Sequence, residues 1–233
     1  MTSLEATLGE IVTRRPDAAT TFERLGLDYC CGGHRTLEDA CNRQGLDART
    51  VAVLLDALRD QPDRAALEAH DVRRASIPEL CDHIVERHHA PLRRELERIS
   101  DLLGTVVRVH GRQHPDLIDL QRLFAATRAD LEQHLRVEEE VLFPACRDLD
   151  ADPRGPALEP DALALLEDDH AATGDALVAM RELTGGFGKE EALCGTHGAL
   201  LHALRDFELD LHRHVHEENN VLFPRVRVRL AAA

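Results

Sequence analysis

The chain has no tryptophan, one tyrosine and six phenylalanines in 233 residues. Its core must therefore be built from Leu, Val and Ala, a supply that suits helices. No run approaches eighteen apolar residues, so no membrane-spanning helix is expected. The start, Met1-Thr2-Ser3-Leu4-Glu5, lacks the basic head and apolar stretch of a secretory signal. A reducing, cytoplasmic location follows as the expectation. The six cysteines are then thiols rather than a disulfide framework, and their spacing offers no zinc ribbon. Basic residues are scarce, 28 against 43 acidic, for a net charge of −15. That balance argues against nucleic acid as the main partner, because phosphate binding needs a basic surface. It otherwise describes a solvated exterior.

What the chain does have is histidine, fourteen in all, and a repeat. The sequence His-x-x-x-Glu-x-x-Val-Leu-Phe-Pro occurs at His134–Pro144 and again at His214–Pro224. A ligand pair four residues apart, followed at fixed distance by an apolar tetrapeptide, rarely arises twice by chance.

Residues 4–14 carry Leu4, Leu8, Ile11 and Val12 at helical spacing. Pro16 suits the start of a second helix with Ala19, Phe22 and Leu25, which Gly26 ends. Asp28-Tyr29-Cys30-Cys31-Gly32-Gly33-His34 reads as a turn. Thr36 caps a short helix through Cys41, with Asp39 at the capping-box position. Asp47 opens another, carrying Val51, Leu54, Leu55 and Leu58. Residues 1–60 thus form a small helical domain near the lower size limit for independent folding. Residues 61–76 are polar and read as a linker. Ser76-Ile77-Pro78-Glu79 is a capping box opening a second domain, 77–233. Four long helices are expected there: 77–104 ending at Gly104, 114–143 ending at Pro144, 161–184 ending before Gly185-Gly186, and 189–222 ending before Pro224. Two helical hairpins with the same terminal motif make an all-α four-helix bundle.

The apolar stripes select the candidate ligands. Leu117, Leu120, Phe124, Thr127, Leu131, His134, Glu138 and Val141 recur at steps of three and four. So do Leu200, Leu204, Phe207, Leu211, His214, Glu218 and Val221. On the other two helices, Cys81, Val85, His89, Leu92, Leu96, Ile99 and Leu103 form one stripe, and Leu163, Leu166, His170, Thr173, Leu177 and Met180 the other. His89 precedes His134 by 45 residues, and His170 precedes His214 by 44. A single histidine on an apolar stripe is ordinarily a satisfied core residue. Here four histidines and two glutamates share one register, and inward glutamates are costly without a cation. His89, His134, Glu138, His170, His214 and Glu218 are therefore expected to bind a pair of metals, with Glu138 and Glu218 bridging. Imidazole with carboxylate suits Fe, Mn or Zn. The remaining bundle histidines are expected mostly at the surface, with His88 and His110 near enough to assist. Cys41, Cys81, Cys146 and Cys194 are expected as small buried residues.

The two His-x-x-x-Glu/Leu-Phe-Pro halves resemble hemerythrin-like HHE domains. With the Asp28–Gly33 turn and Thr36-Leu37 in a leading module, the chain resembles the iron–sulfur cluster repair di-iron proteins, the ScdA/RIC family. The resemblance covers nearly the whole chain. It implies two non-haem Fe ions, oxo- or hydroxo-bridged, on the six residues the stripes select. It also implies a role in repairing iron–sulfur proteins damaged by nitrosative or oxidative stress, with NO or O2 as small ligands. The family's paired cysteines carry over onto Cys30 and Cys31, which would pass iron or electrons. The plainer reading of that pair is a tight turn. A helix N-terminus near Thr36 would favour the thiolate. An iron donor is preferred to a classical enzyme; the alternatives are a di-iron NO reductase and an O2/NO-binding sensor or carrier. A homodimer is left open. Pro91 departs from the expected pattern: two residues after His89, it would cost an α-helix interior about 3 kcal/mol.

Overall fold

The computed structural model describes residues 2–57, 72–151, 158, 160–188 and 192–232. Among these, regular structure is entirely helical apart from an isolated Thr7–Thr36 bridge, in keeping with the all-α expectation. No helix among them is long and apolar enough to cross a membrane. Most of the linker expected at 61–76 lies outside the described residues. The chain divides into two compact units. The first comprises Met1–Cys81, Cys146–Pro160 and His212–Ala233, the second Asp82–Ala145 and Asp161–Leu211.

The first unit opens with α1 (Leu8–Arg14), α2 (Ala18–Leu25), α3 (Leu37–Arg43) and α4 (Ala48–Ala57). Local chemistry sets their ends. Thr7 and Glu10 form a full capping box on α1, and Thr36 accepts the Asp39 N–H on α3. Gly26 closes α2 at φ 67°, a left-handed conformation that favours glycine. Leu8, Phe22, Tyr29, Leu37 and Leu55 fill the core between these helices. The C-terminal helix α11 (Phe223–Ala231) belongs to the same unit, and its Arg225 donates to the carbonyls of Val72, Arg73 and Ala75.

The bundle helices are α5 (Ile77–Ile84), α6 (Ala90–His110), α7 (Asp116–Val137), α8 (Phe143–Ala151), α9 (Pro160–Leu183) and α10 (Gly195–Glu217). Ser76 and Glu79 cap the start of α5 as expected. In the second unit α6, α7, α9 and α10 share one core that includes Leu96, Phe124, Leu177 and Phe207. Phe124 and Phe207 meet edge-on with centroids 5.8 Å apart. This is the expected four-helix arrangement. Gly104 does not end its helix, which runs on to His110 and buries Val106. An interior glycine costs only about 1 kcal/mol relative to alanine, which burial of such a side chain offsets.

Among the described residues, π-helical turns interrupt the bundle helices at Val85–His89, Glu138–Leu142 and Glu218–Leu222. In each, the amide after the turn reaches back five residues: Ala90 to Val85, Phe143 to Glu138, Phe223 to Glu218. Each is followed at the same distance by a proline: Pro91, Pro144 and Pro224. A π turn inserts one residue and disturbs the backbone ladder locally, so a residue without an amide hydrogen fits just beyond it. The prolines therefore do not end the helices, contrary to the expectation for Pro144 and Pro224; α8 and α11 resume through them. The extra residue also shifts the buried face. Ile84 and His89 are buried five positions apart while Val85 is only half-buried. Val141, expected inward, is 62% exposed, and Leu142 and Phe143 are buried instead. The counterpart Val221 is buried, in the turn against which α1 packs.

Because Pro91 stands in the first turn of α6 rather than in a helix interior, Pro91→Ala is expected to change unfolding free energy by less than about 1 kcal/mol. Chemical denaturation measures this. A gain near 3 kcal/mol would show that the proline does strain the helix.

Candidate metal centre

In the second unit four predicted ligands converge. His89 ends the first π turn, Glu138 begins the second, His134 lies one turn before Glu138 on α7, and His170 comes from α9. All four are buried, Glu138 and His89 completely. His89 Nε2 lies 3.4 Å from Glu138 Oε2, and His134 Nε2 lies 3.3 Å from Glu138 Oε1. His134 Nε2 and His170 Nε2 are 3.0 Å apart. Ligand atoms of His134, Glu138 and His170 all fall within 4.8 Å of one another.

Second partners orient these rings. His89 Nδ1 faces Glu139 Oε1 at 2.7 Å, and Glu139 also accepts from Arg93 at 2.9 Å. Burial alone would raise the Glu139 pKa, but the bonds from Arg93 and His89 outweigh it and hold the carboxyl below its usual range. On the far side of His134, Nδ1 lies 3.4 Å from Asp169 Oδ2. In both rings Nδ1 points to an outer carboxylate and Nε2 inward, the arrangement by which metal-binding imidazoles are fixed. The donor set of imidazole Nε2 atoms around a buried carboxylate fits a divalent or trivalent cation. His89 is held further by stacking on Phe143, 5.6 Å between centroids. A cavity of about 270 Å³ opens beside His134, lined also by Thr127, Gln133, Val137, Asp169 and Thr173.

In the first unit His214 and Glu218, both buried, form the equivalent pair, Nε2 to Oε1 at 2.9 Å. Glu218 begins its π turn as Glu138 does.

The cysteine turn belongs to this first unit and is organised by Asp28. Its Oδ1 accepts the N–H groups of Cys30 and Cys31 at 3.2 and 3.0 Å, and Oδ2 accepts that of Gly32 at 2.9 Å. Neither cysteine is in a disulfide, and their Sγ atoms lie 3.9 Å apart. Their sulfurs and the Asp28 carboxylate lie within 4.8 Å of one another. The expected lowering by a helix N-terminus does not hold for Cys30. Hydrogen bonding with Cys31, burial and the Asp28 charge hold its pKa well above the ordinary thiol value.

The turn is anchored by residues that sequence reasoning passed over. Asn220 Nδ2 donates to the carbonyls of Tyr29 and Cys30 at 3.4 and 2.9 Å. His216, expected at the surface, is buried, with Nδ1 3.3 Å from the Tyr29 carbonyl and its ring 5.5 Å from that of Tyr29. Burial pushes the His216 pKa down to about 4, so the ring is neutral. Gly9 and Gly33 enclose the Asn220 side chain: a Cβ on either would lie 2.3 Å from Asn220 Oδ1. A signal was present in the repeat, because His216 and Asn220 stand where the first half has Arg136 and Glu140.

The remaining candidates lie elsewhere. His88 packs edge-on against His83, 5.9 Å between centroids. His110 contacts Cys194, which is exposed rather than buried, and His197, expected at the surface, is buried.

Two family models match the chain. A hemerythrin HHE cation binding domain covers residues 81–226, and an ScdA-type N-terminal domain of unknown function (DUF542) covers residues 4–59. Among similar proteins, the iron-sulfur cluster repair protein ScdA of Staphylococcus haemolyticus is 35% identical over 225 residues, 96% of this chain and 98% of its own. The iron-sulfur cluster repair proteins YtfE of Pectobacterium atrosepticum and Yersinia pseudotuberculosis are each 32% identical. These alignments span 95% and 94% of this chain, and 96% and 95% of the relatives.

Since a Cβ at position 33 would also lie 2.5 Å from the Tyr29 carbonyl, Gly33→Ala is expected to destabilise the fold by roughly 1–3 kcal/mol. It should also make Cys31 alkylate faster. A denaturation midpoint and alkylation rate equal to wild type would show that this close approach does not hold the turn.

Proposed function

The chain belongs to the family of iron–sulfur cluster repair proteins with a hemerythrin HHE cation binding domain, and we propose that it restores damaged iron–sulfur proteins by donating iron from a di-iron centre. The observation that carries this reading is the convergence of His89, His134, Glu138 and His170 on one point within the second unit. The internal repeat supplies His214 and Glu218 as the counterparts of His134 and Glu138. In this reading the six residues together would hold two non-haem irons, with the carboxylates of Glu138 and Glu218 as their anionic ligands.

The bound irons would supply the redox-active, transferable metal; the side chains govern its hold. Glu139 and Asp169 fix the tautomers of His89 and His134, so that Nε2 of each stays available inward. The cavity beside His134 gives ligands of the size of NO or O2 a route to that ring. Cys30 and Cys31, with Asp28, offer two sulfurs and a carboxylate for receiving or handing on an iron ion. The hydrogen bond with Cys31, burial and Asp28 favour the protonated Cys30 thiol, so metal capture there would release a proton from it. The acceptors are damaged iron–sulfur proteins in the cytoplasm.

Metal analysis with an optical spectrum is the test. Wild type is expected to carry about two irons per chain, and Glu138→Ala/Glu218→Ala to lose them together with the near-ultraviolet absorption. Iron content unchanged by the double substitution would refute the centre. Cys30→Ser/Cys31→Ser should keep the spectrum and lose cluster repair; repair at the wild-type rate would remove the cysteines from the mechanism.

A further inference from the structure

We propose that Asn220 and His216 are positioning residues for the cysteine pair: held by them, the Cys30–Cys31 turn keeps its two sulfurs and the Asp28 carboxylate aimed at one point, where they take up a single divalent ion such as Fe2+. On the reading that this turn receives or hands on iron, these two residues are what sets its shape. All of the residues concerned lie in the first unit.

The turn is clamped on both sides. In a trans peptide the C=O and the following N–H point opposite ways. Asn220 Nδ2 donates to the carbonyls of Tyr29 and Cys30 at 3.4 and 2.9 Å, and His216 Nδ1 meets that of Tyr29 at 3.3 Å. The N–H groups of Cys30 and Cys31 are thereby turned the other way, onto Asp28 Oδ1 at 3.2 and 3.0 Å. The two peptide planes that flank Cys30 are fixed in this way. The Cys30 sulfur then lies 3.3 Å from Asp28 Oδ1 and 3.9 Å from the Cys31 sulfur. Ligand atoms of Asp28, Cys30 and Cys31 all fall within 4.8 Å of one another, and neither Asn220 nor His216 belongs to that group.

The two positioning side chains are themselves held. Asn220 enters where Gly9 and Gly33 leave space, and Gly9 N–H donates to the Gly33 carbonyl at 2.8 Å. A carbonyl only accepts, so the His216 proton sits on Nδ1, and Thr13 Oγ1 lies 3.3 Å from Nε2. His216 and Asn220 each stand two positions after a candidate ligand, His214 and Glu218. Two helical steps carry a side chain roughly to the opposite side. One segment thus turns His214 and Glu218 one way and presents His216 and Asn220 to the cysteine turn. The first half of the repeat has Arg136 and Glu140 at these places, both exposed.

The test titrates the full chain, with its resident metal in place, using Co2+ as a spectroscopic substitute for Fe2+. Every chain tested carries Cys194→Ser, so that this exposed thiol contributes nothing. Thiolate-to-Co2+ charge-transfer absorption reports binding at cysteine, and Cys30→Ser/Cys31→Ser is expected to abolish it. Asn220→Asp keeps the shape of the side chain but sets an acceptor against two carbonyls. It is expected to weaken Co2+ binding at the turn at least about tenfold, the loss typical when a residue that supports a ligand without touching the ion is removed. His216→Ala should do the same, and His216→Asn, whose Nδ2 can replace Nδ1 as donor, should recover most of the affinity. The near-ultraviolet absorption of the resident iron and the denaturation midpoint are followed in each variant. Unchanged affinity in Asn220→Asp and His216→Ala, equal losses in His216→Ala and His216→Asn, or a loss that comes only together with the resident iron or the fold overturns the positioning role alone. A band that is absent, or that survives Cys30→Ser/Cys31→Ser, overturns the metal-handling reading of the cysteines and the positioning role with it.

Discussion

A buried carboxylate is the constraint around which this molecule is arranged. Glu138 and Glu218 are both 0% exposed. A carboxylate taken from water without a counter-charge costs several kcal/mol, far more than the packing of its two methylenes returns. Each glutamate lies one turn after a histidine whose Nε2 faces it. Around Glu138 two further imidazoles complete a shell of nitrogen donors. Such a shell gives poor apolar packing but good coordination. The outer carboxylates serve the same end: Glu139 and Asp169 take the Nδ1 sides of His89 and His134 and leave Nε2 turned inward.

The π turns make this arrangement possible in helices that are otherwise regular. One added residue rotates the following segment by about a hundred degrees, so a ligand and the apolar residue five positions beyond it can both be buried. Glu138 with Phe143 and Glu218 with Phe223 follow that rule. Phe143 in turn stacks on His89, so the residue brought inward by the turn also supports that imidazole. The prolines beyond the turns are compatible with them because no α-helical amide is needed there.

The two halves of the repeat differ where their surroundings differ. The first half presents Arg136 and Glu140. The second has His216 and Asn220, a neutral ring and an amide that meet the carbonyls of Tyr29 and Cys30. Buried next to backbone carbonyls, a carboxylate would be repelled and an arginine would be too long. Gly9 and Gly33 lack side chains where Asn220 enters. The two glycines after the cysteines thus have separate reasons: Gly32 N–H serves Asp28, and Gly33 leaves room for Asn220.

Much of this was readable from the chain alone. Caps such as Thr7, Thr36 and Ser76 act within one turn, so local chemistry marks the helix starts. Helical stripes are likewise local, so periodicity marked His89, His134, Glu138 and His170 as inward-facing, and all four are buried. The exposed Val141, the half-buried Val85 and the helices that continue through Gly104, Pro144 and Pro224 were not readable. Those outcomes depend on where a π turn inserts its extra residue and on what burial offsets, and sequence periodicity assumes a constant 3.6. His216, Asn220 and the His110–Cys194 contact lie further out of reach, since they depend on pairings between residues tens to hundreds of positions apart. The sequence by itself determined the helices, their starts and the histidines and glutamates that face inward, because those follow from neighbouring residues. Only the tertiary structure decided the register beyond each ligand, the anchoring of the cysteine turn and the raised pKa of Cys30, because desolvation and hydrogen bonding exist only once distant segments pack.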